Sequence, residues 1–186
     1  MASLAAENPA WRFYTSGTTG KPKAAILSHR NLAVMALGYL ADVDFLDETD
    51  CLIHLAAQSH ASGLFALSHI PRASHQIVPA SGGFDIGELA TLIADNRKIS
   101  FFVPPTLLRR LSVDGVMAAL PLDHIKTILC GAAPVYADDL KQALARFGPC
   151  IWNGYGQGES PCTITAMSKS MLAAAAESGN DERLIS

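Results

Sequence analysis

Apolar residues follow two rhythms along this chain, and the alternation between the two predicts its layout. Short runs rich in β-branched and aromatic residues, the mark of strands, fall at residues 11–14, 24–27, 51–56, 75–78, 99–103, 125–130, 150–153 and 162–167. Between these runs the apolar positions shift to helical spacing, with helices expected to begin after Ser28, near Ser59, after Asp85, at Pro105, after Pro134 and near Ser168. In "VYADDLKQALARFG" the periodic positions are Val135, Leu140, Leu144 and Phe147, and Gly148 closes the helix. Ser28 is suited to cap "HRNLAVMALGYL", and Asp85 with Glu88 three residues on has the form of a capping box. Strands alternating with helices imply an α/β fold of layered sheet and helices. No repeat or low-complexity linker divides the chain, so residues 1–186 read as one unit.

Composition narrows the function classes. A hydrophobic content of 49% at 186 residues excludes disorder and leaves room for a sizeable core. Fourteen Lys and Arg against 17 Asp and Glu give a formal charge of −3, without the basic surplus that a nucleic-acid or anionic-membrane binder needs. The longest apolar run, "LAVMALGYLA" from Leu32, is too short to span a membrane, and the first residues lack the basic start and apolar core of a secretory leader. Cys51, Cys130, Cys150 and Cys162 have no CxxC spacing, so reduced, packed thiols in a cytoplasmic protein are expected. Of the six histidines, His54, His69, His75 and His124 are expected in packing or surface roles, since no metal-ligand spacing links them.

The chemistry concentrates first in "YTSGTTGKPKAAILSHRN", a loop of hydroxyls, glycines and lysines framed by strand-like segments. A Walker-type phosphate loop is excluded, because Gly17 and Gly20 are only three apart and Lys21 is followed by Pro22. The ingredients still suit phosphate. Glycines admit close backbone approach, and hydrogen bonds to a charged group contribute about 1.5–3 kcal/mol each.

The same stretch closely resembles the signature loop of the AMP-forming acyl-CoA synthetases, members of the adenylate-forming (AMP-binding) enzyme superfamily. Four further segments follow in that family's order: "SHASGLF", "FDIGELATLIADNRKISFFVPPTLLRRL", "LPLDHIKTILCGAAPVYADDLKQALARFG" and "WNGYGQGES". The resemblance implies that a carboxylate attacks the α-phosphate of ATP, pyrophosphate leaves, and the acyl-adenylate passes to the thiol of coenzyme A. It implies that Thr15, Ser16, Gly17, Thr18, Thr19, Gly20 and Lys23 hold the phosphates, Lys23 also acting in catalysis. By the same resemblance, Gly131, Ala132, Ala133, Asn153, Gly154, Tyr155 and Gly156 form the adenine slot. Glu159 is implied as the Mg²⁺ ligand, and His60 as the catalytic group beside the acyl carboxylate.

One departure concerns Gly158, which stands where the family usually has Thr; Ser160 or Thr163 is expected to supply the missing hydroxyl. Compared with the family pattern, the chain is expected to be a fragment of the large N-terminal domain without the small C-terminal lid. It is then expected to lack ligase activity by itself and to self-associate through bared apolar surface. "QSHASGLF" offers no carboxylate to pair with a substrate ammonium, so a fatty or aryl acid is favoured over an amino acid. The alternatives are an amino-acid adenylation domain, an acyl-AMP ligase, or a non-catalytic nucleotide-binding module.

Overall fold

The computed structural model of the protein describes residues 4–15, 23–179 and 181–184. β1 (Pro9–Thr15) and β2 (Lys23–Ser28) pair antiparallel as a separate two-stranded ribbon, with Thr15 opposite Lys23 at its open end. Ser28 ends the ribbon and starts α1 (His29–Asp42). Its hydroxyl accepts from the Asn31 amide, while the Asn31 side chain accepts from the Ser28 amide, a complete capping box.

The chain then builds β3 (Cys51–Ile53), α2 (Ala61–His69), β4 (His75–Ile77), α3 (Ile86–Asp95), β5 (Ile99–Val103), α4 (Pro105–Val113), β6 (Ile125–Gly131), α5 (Ala137–Phe147), β7 (Ile151–Tyr155), β8 (Thr165–Met167), α6 (Lys169–Glu177) and α7 (Asp181–Leu184). The central sheet runs β4-β3-β5-β6-β7-β8, parallel except for the last pair. The layered α/β class is therefore as expected. The expected strands at 51–56 and 162–167 shorten to three residues each, because the flanking residues turn toward the next helix or loop.

Side-chain alternation along the parallel strands makes two cores, one on each face. Phe101, Ile128, Cys130 and Ile151 point into a core closed by α3, α4, α5 and α6. Phe102, Leu129 and Trp152, their chain neighbours, point into the other, closed by Tyr39 of α1 and Phe65 of α2. Asp85 caps α3 through the Glu88 amide at 2.8 Å, but Glu88 does not complete the box. Its carboxylate accepts instead from the amides of Ala80 and Ser81, fixing the loop that precedes the helix.

The amino ends of the parallel strands carry a buried charged network. Lys126 donates to the fully buried Asp50 at 2.6 Å, and Lys169 donates to Asp44 at 2.6 Å, joining the segment after α1 to β6 and α6. All four cysteines are free, three of them buried, and burial pushes the thiols of Cys51 and Cys150 up to about 11 and those of Cys130 and Cys162 up to about 12. They are packing groups with little thiolate character.

His69 is fully buried beside this network. The Ser74 hydroxyl donates to the Asp50 carbonyl at 3.0 Å, so its contact with His69 Nδ1 at 2.7 Å places the imidazole proton on Nδ1. Burial lowers the His69 pKa from 6.5 to about 4. The unfolded chain therefore binds a proton between those values that the folded chain excludes. This contribution is complete above pH 6.5 and is lost as pH falls toward 4, amounting to about 3 kcal/mol. In urea unfolding near pH 7 and near pH 5, wild type should lose about 2 kcal/mol more than His69→Gln; equal losses would rule out His69 as the cause.

Candidate functional site

In an open, mostly parallel sheet, ligands bind outside the carboxyl ends of the strands, where strand order reverses. Here the chain steps from β3 outward to β4 and then back across β3 to β5, so that crevice lies between β3 and β5. Two cavities open beside the carboxyl ends of the neighbouring strands β6 and β7, the smaller one also reaching β5 and the start of α2.

The smaller cavity, about 250 Å³, has walls from α2, β5 and β7. His60, Phe65, Phe102 and Trp152 line it together with Gly154 and Thr163. His60 is the residue preceding α2, its Nδ1 is 2.9 Å from the Ser59 hydroxyl, and its ring meets Phe13 of β1 edge-on at 5.3 Å. The ribbon that carries the ends of the Ser/Thr/Gly loop is thus in contact with His60. His54, in the segment between β3 and α2, ties the first turn of α2 to β4, its Nδ1 lying 2.9 Å from the Ser62 hydroxyl and its Nε2 3.1 Å from the Gln76 amide oxygen. His54 is a positioning group, in keeping with its expected packing role.

The larger cavity, about 780 Å³, lies on the other side of the β6 and β7 ends. Ala132, Ala133, Asn153, Gly154, Tyr155 and Gly156 all line it. Of the residues implied for an adenine slot, only Gly131 stays beneath, buried as the last residue of β6. Ala132, Gly154, Tyr155 and Gly156 border both cavities, forming a shared wall.

Two glycines make this wall thin. A Cβ on Gly131 would stand 2.5 Å from the Gly154 carbonyl oxygen, and one on Gly154 would stand 2.1 Å from the Trp152 ring. Neither has a left-handed backbone, so space is the constraint. Ala132 bears the conformational cost, turning the chain out of β6 at φ 71°.

Glu159 is exposed and lines a third cleft, about 560 Å³, between α1 and the 159–168 segment, with Arg30 and Asn31. It does not border either of the other cavities, although Trp152 and Thr163 border both this cleft and the smaller cavity. Among the described residues no group of three His, Cys, Asp or Glu could hold a metal. A single carboxylate is suited to Mg²⁺ only when phosphate oxygens supply the remaining ligands. Of the two hydroxyls considered for the place of the missing Thr, Thr163 borders the smaller cavity and Ser160 does not. Ser16, Gly17, Thr18, Thr19 and Gly20 lie outside the described residues, as does the Thr15 side chain; Lys23 opens β2. Phe102, Trp152 and Tyr136 were not singled out in the sequence. Strand alternation could have paired Phe102 with Trp152 on one face, but nothing local marks Tyr136.

The family model described as AMP-binding enzyme matches residues 1–181. A medium/long-chain-fatty-acid–CoA ligase of Mycobacterium tuberculosis is 31% identical over 156 residues, covering 84% of this chain and 27% of that protein. A feruloyl-CoA synthase of an Amycolatopsis species is 29% identical over 162 residues, covering 86% and 32%. Among solved structures, ATP-bound MatB from Rhodopseudomonas palustris aligns with a TM-score of 0.74 at 30% identity, covering 88% of this chain and 32% of that one. The N-terminal domain of FACL13 from M. tuberculosis aligns at 0.76 with 23% identity over 94% and 43%, a likeness of fold alone. The chain thus spans about a third of the length of the curated relatives it matches.

The thin wall yields two expectations. Gly154→Ala should destabilise by about 1–3 kcal/mol through overpacking against Trp152, whereas Ala132→Gly should be neutral to about 1 kcal/mol stabilising by relief of left-handed strain. Denaturant midpoints check both. A Gly154→Ala midpoint equal to wild type would show that the wall has slack.

Proposed function

The chain belongs to the AMP-binding enzyme family, and on that premise we propose that its site activates a carboxylic acid with ATP, as part of a longer acyl-CoA ligase. The observation that carries this reading is the pair of cavities with one shared wall at Ala132, Gly154, Tyr155 and Gly156. An acyl-adenylate has two dissimilar halves joined at one phosphate. The larger cavity suits the nucleoside half and the smaller, ring-lined cavity suits the acyl half, so the joining phosphate would cross the glycine wall.

In the reaction a carboxylate oxygen forms a bond to the α-phosphorus, and the bond from that phosphorus to the pyrophosphate oxygen breaks. The chain's contribution is positioning. Among the described residues no Asp or Glu lines the smaller cavity, so an incoming carboxylate meets no like charge from them. Among the described residues His60, Thr163, Gln157 and the Tyr155 hydroxyl are its polar side chains, of which His60 and Thr163 are assigned to the carboxylate and phosphate oxygens. The rings of Phe65, Phe102 and Trp152 exclude water. The same lack of a carboxylate leaves an α-ammonium unpaired, which favours fatty or aryl acids over amino acids. Lys23 and the loop between β1 and β2 are assigned to the outer phosphates. Glu159 is assigned to Mg²⁺, which when bound would neutralise phosphate charge. Transfer to coenzyme A is assigned to the longer enzyme.

A non-reactive acyl sulfamoyl adenosine, which spans both cavities, tests the reading by calorimetry on the 186-residue chain. Benzoyl or octanoyl forms should bind at least about tenfold more tightly than AMP, the gain expected when linking makes a second contact intramolecular. The glycyl form should not. Affinity equal to that of AMP for every acyl group would overturn the acid-activating reading and leave a nucleotide-binding module.

A further inference from the structure

α5 begins without the residue that a helix start prefers. Its N-cap is Tyr136, which makes no capping hydrogen bond from its side chain. Ser, Thr, Asp or Asn there would add about 1 kcal/mol to helix stability. Three other helices in this chain use Ser or Asp at that place and form the bond. The Tyr136 side chain has no burial to compensate, since the residue is 75% exposed, more than any other large apolar or aromatic residue among those described. It borders the larger cavity. Tyr155 borders the same cavity and is 53% exposed, its hydroxyl accepting from the Gln157 side-chain amide.

Charge decides which part of a nucleotide this end of the cavity takes. The first turn of α5 carries Asp138 and Asp139, which counter the positive end of the helix dipole, and Asp139 also pairs with Arg109 at 3.5 Å. Among the described residues no Lys or Arg lines the cavity, so this end offers a phosphate no net positive charge. A planar, uncharged base needs none. It gains from aromatic surface, which binds bases in a sequence-tolerant way through their π-faces.

We propose that Tyr136 is a base-binding residue: its ring stacks on the nucleotide base in the larger cavity and forms a second aromatic wall besides Tyr155. The proposal rests on the adenylate reading above for the identity of the ligand, but on Tyr136 alone for its geometry. α2 and α4 also start without a side-chain cap, but only at α5 is the residue in that place an exposed aromatic bordering the larger cavity.

The test uses three variants of the 186-residue chain, AMP as the probe and inorganic triphosphate with Mg²⁺ as the control. Tyr136→Ser restores a capping hydroxyl and removes the ring, so thermal unfolding should move up while AMP binding weakens about tenfold or more, the range of base–aromatic stacking. Tyr136→Phe should keep wild-type AMP affinity, and triphosphate binding should not change in either. Tyr155→Ala should weaken AMP binding to a similar degree. AMP affinity unchanged in Tyr136→Ser, with Tyr155→Ala impaired, would overturn the role of Tyr136 and leave the adenylate reading standing. Absence of AMP binding in wild type would overturn both.

Discussion

The close approach of β6 and β7 at Gly131 and Gly154 is the constraint on which the site depends. These residues are register partners, and a methyl group on either would strike backbone or the Trp152 ring. Because the wall is only backbone thick, two cavities of different character can share it. One is ring-lined and small, the other wide and flanked by exposed tyrosines. A side chain at Gly131 would push β7 away, and one at Gly154 would displace the Trp152 ring that lines the smaller cavity. Ala132 shows the cost of the same turn, since it leaves the strand in a left-handed conformation that an L-residue rarely takes.

The opposite end of the sheet is built on different physics. There the strands begin in a network of buried charges, with Asp50 on Lys126 and Asp44 on both Thr127 and Lys169. Buried ion pairs contribute little net stability, but removing one partner leaves an uncompensated charge and is strongly destabilising. The network therefore fixes which segments meet: the residues after α1, the start of β6 and the start of α6. A sheet pinned at its amino ends can leave its carboxyl ends open for ligands. His69 and its neighbours belong to this pinned end, which is why its titration bears on stability and not on the proposed chemistry.

Most of the fold was legible in the residues, and the reasons are local. Every expected strand and helix exists, because each is signalled by its own run of apolar positions, and three helices also by their caps. Ser28 caps α1 and Asp85 caps α3, and Gly148 ends α5 at φ 75°, all as their types predict. Glu88 marks the limit. Its spacing fits a capping box, yet its carboxylate serves the amides of Ala80 and Ser81. Two acceptable partners competed, and the path of the preceding loop, which spacing does not encode, decided between them.

The family pattern in the motifs was likewise determined by the sequence itself, and with it the residues expected around a nucleotide. Which of those residues share a cavity was decided only by the tertiary structure. Ala132, Ala133, Asn153, Gly154, Tyr155 and Gly156 come from the ends of two successive strands separated by α5, and parallel pairing of β6 with β7 brings them together. Glu159, only three residues beyond Gly156, borders a different cleft, because the chain turns back at Gln157–Ser160 to pair β8 antiparallel with β7. Tyr136 gave no local signal beyond being a poor cap. Periodicity and capping are read over a few residues, whereas a cavity is the meeting of strand ends whose neighbours are set by the whole sheet.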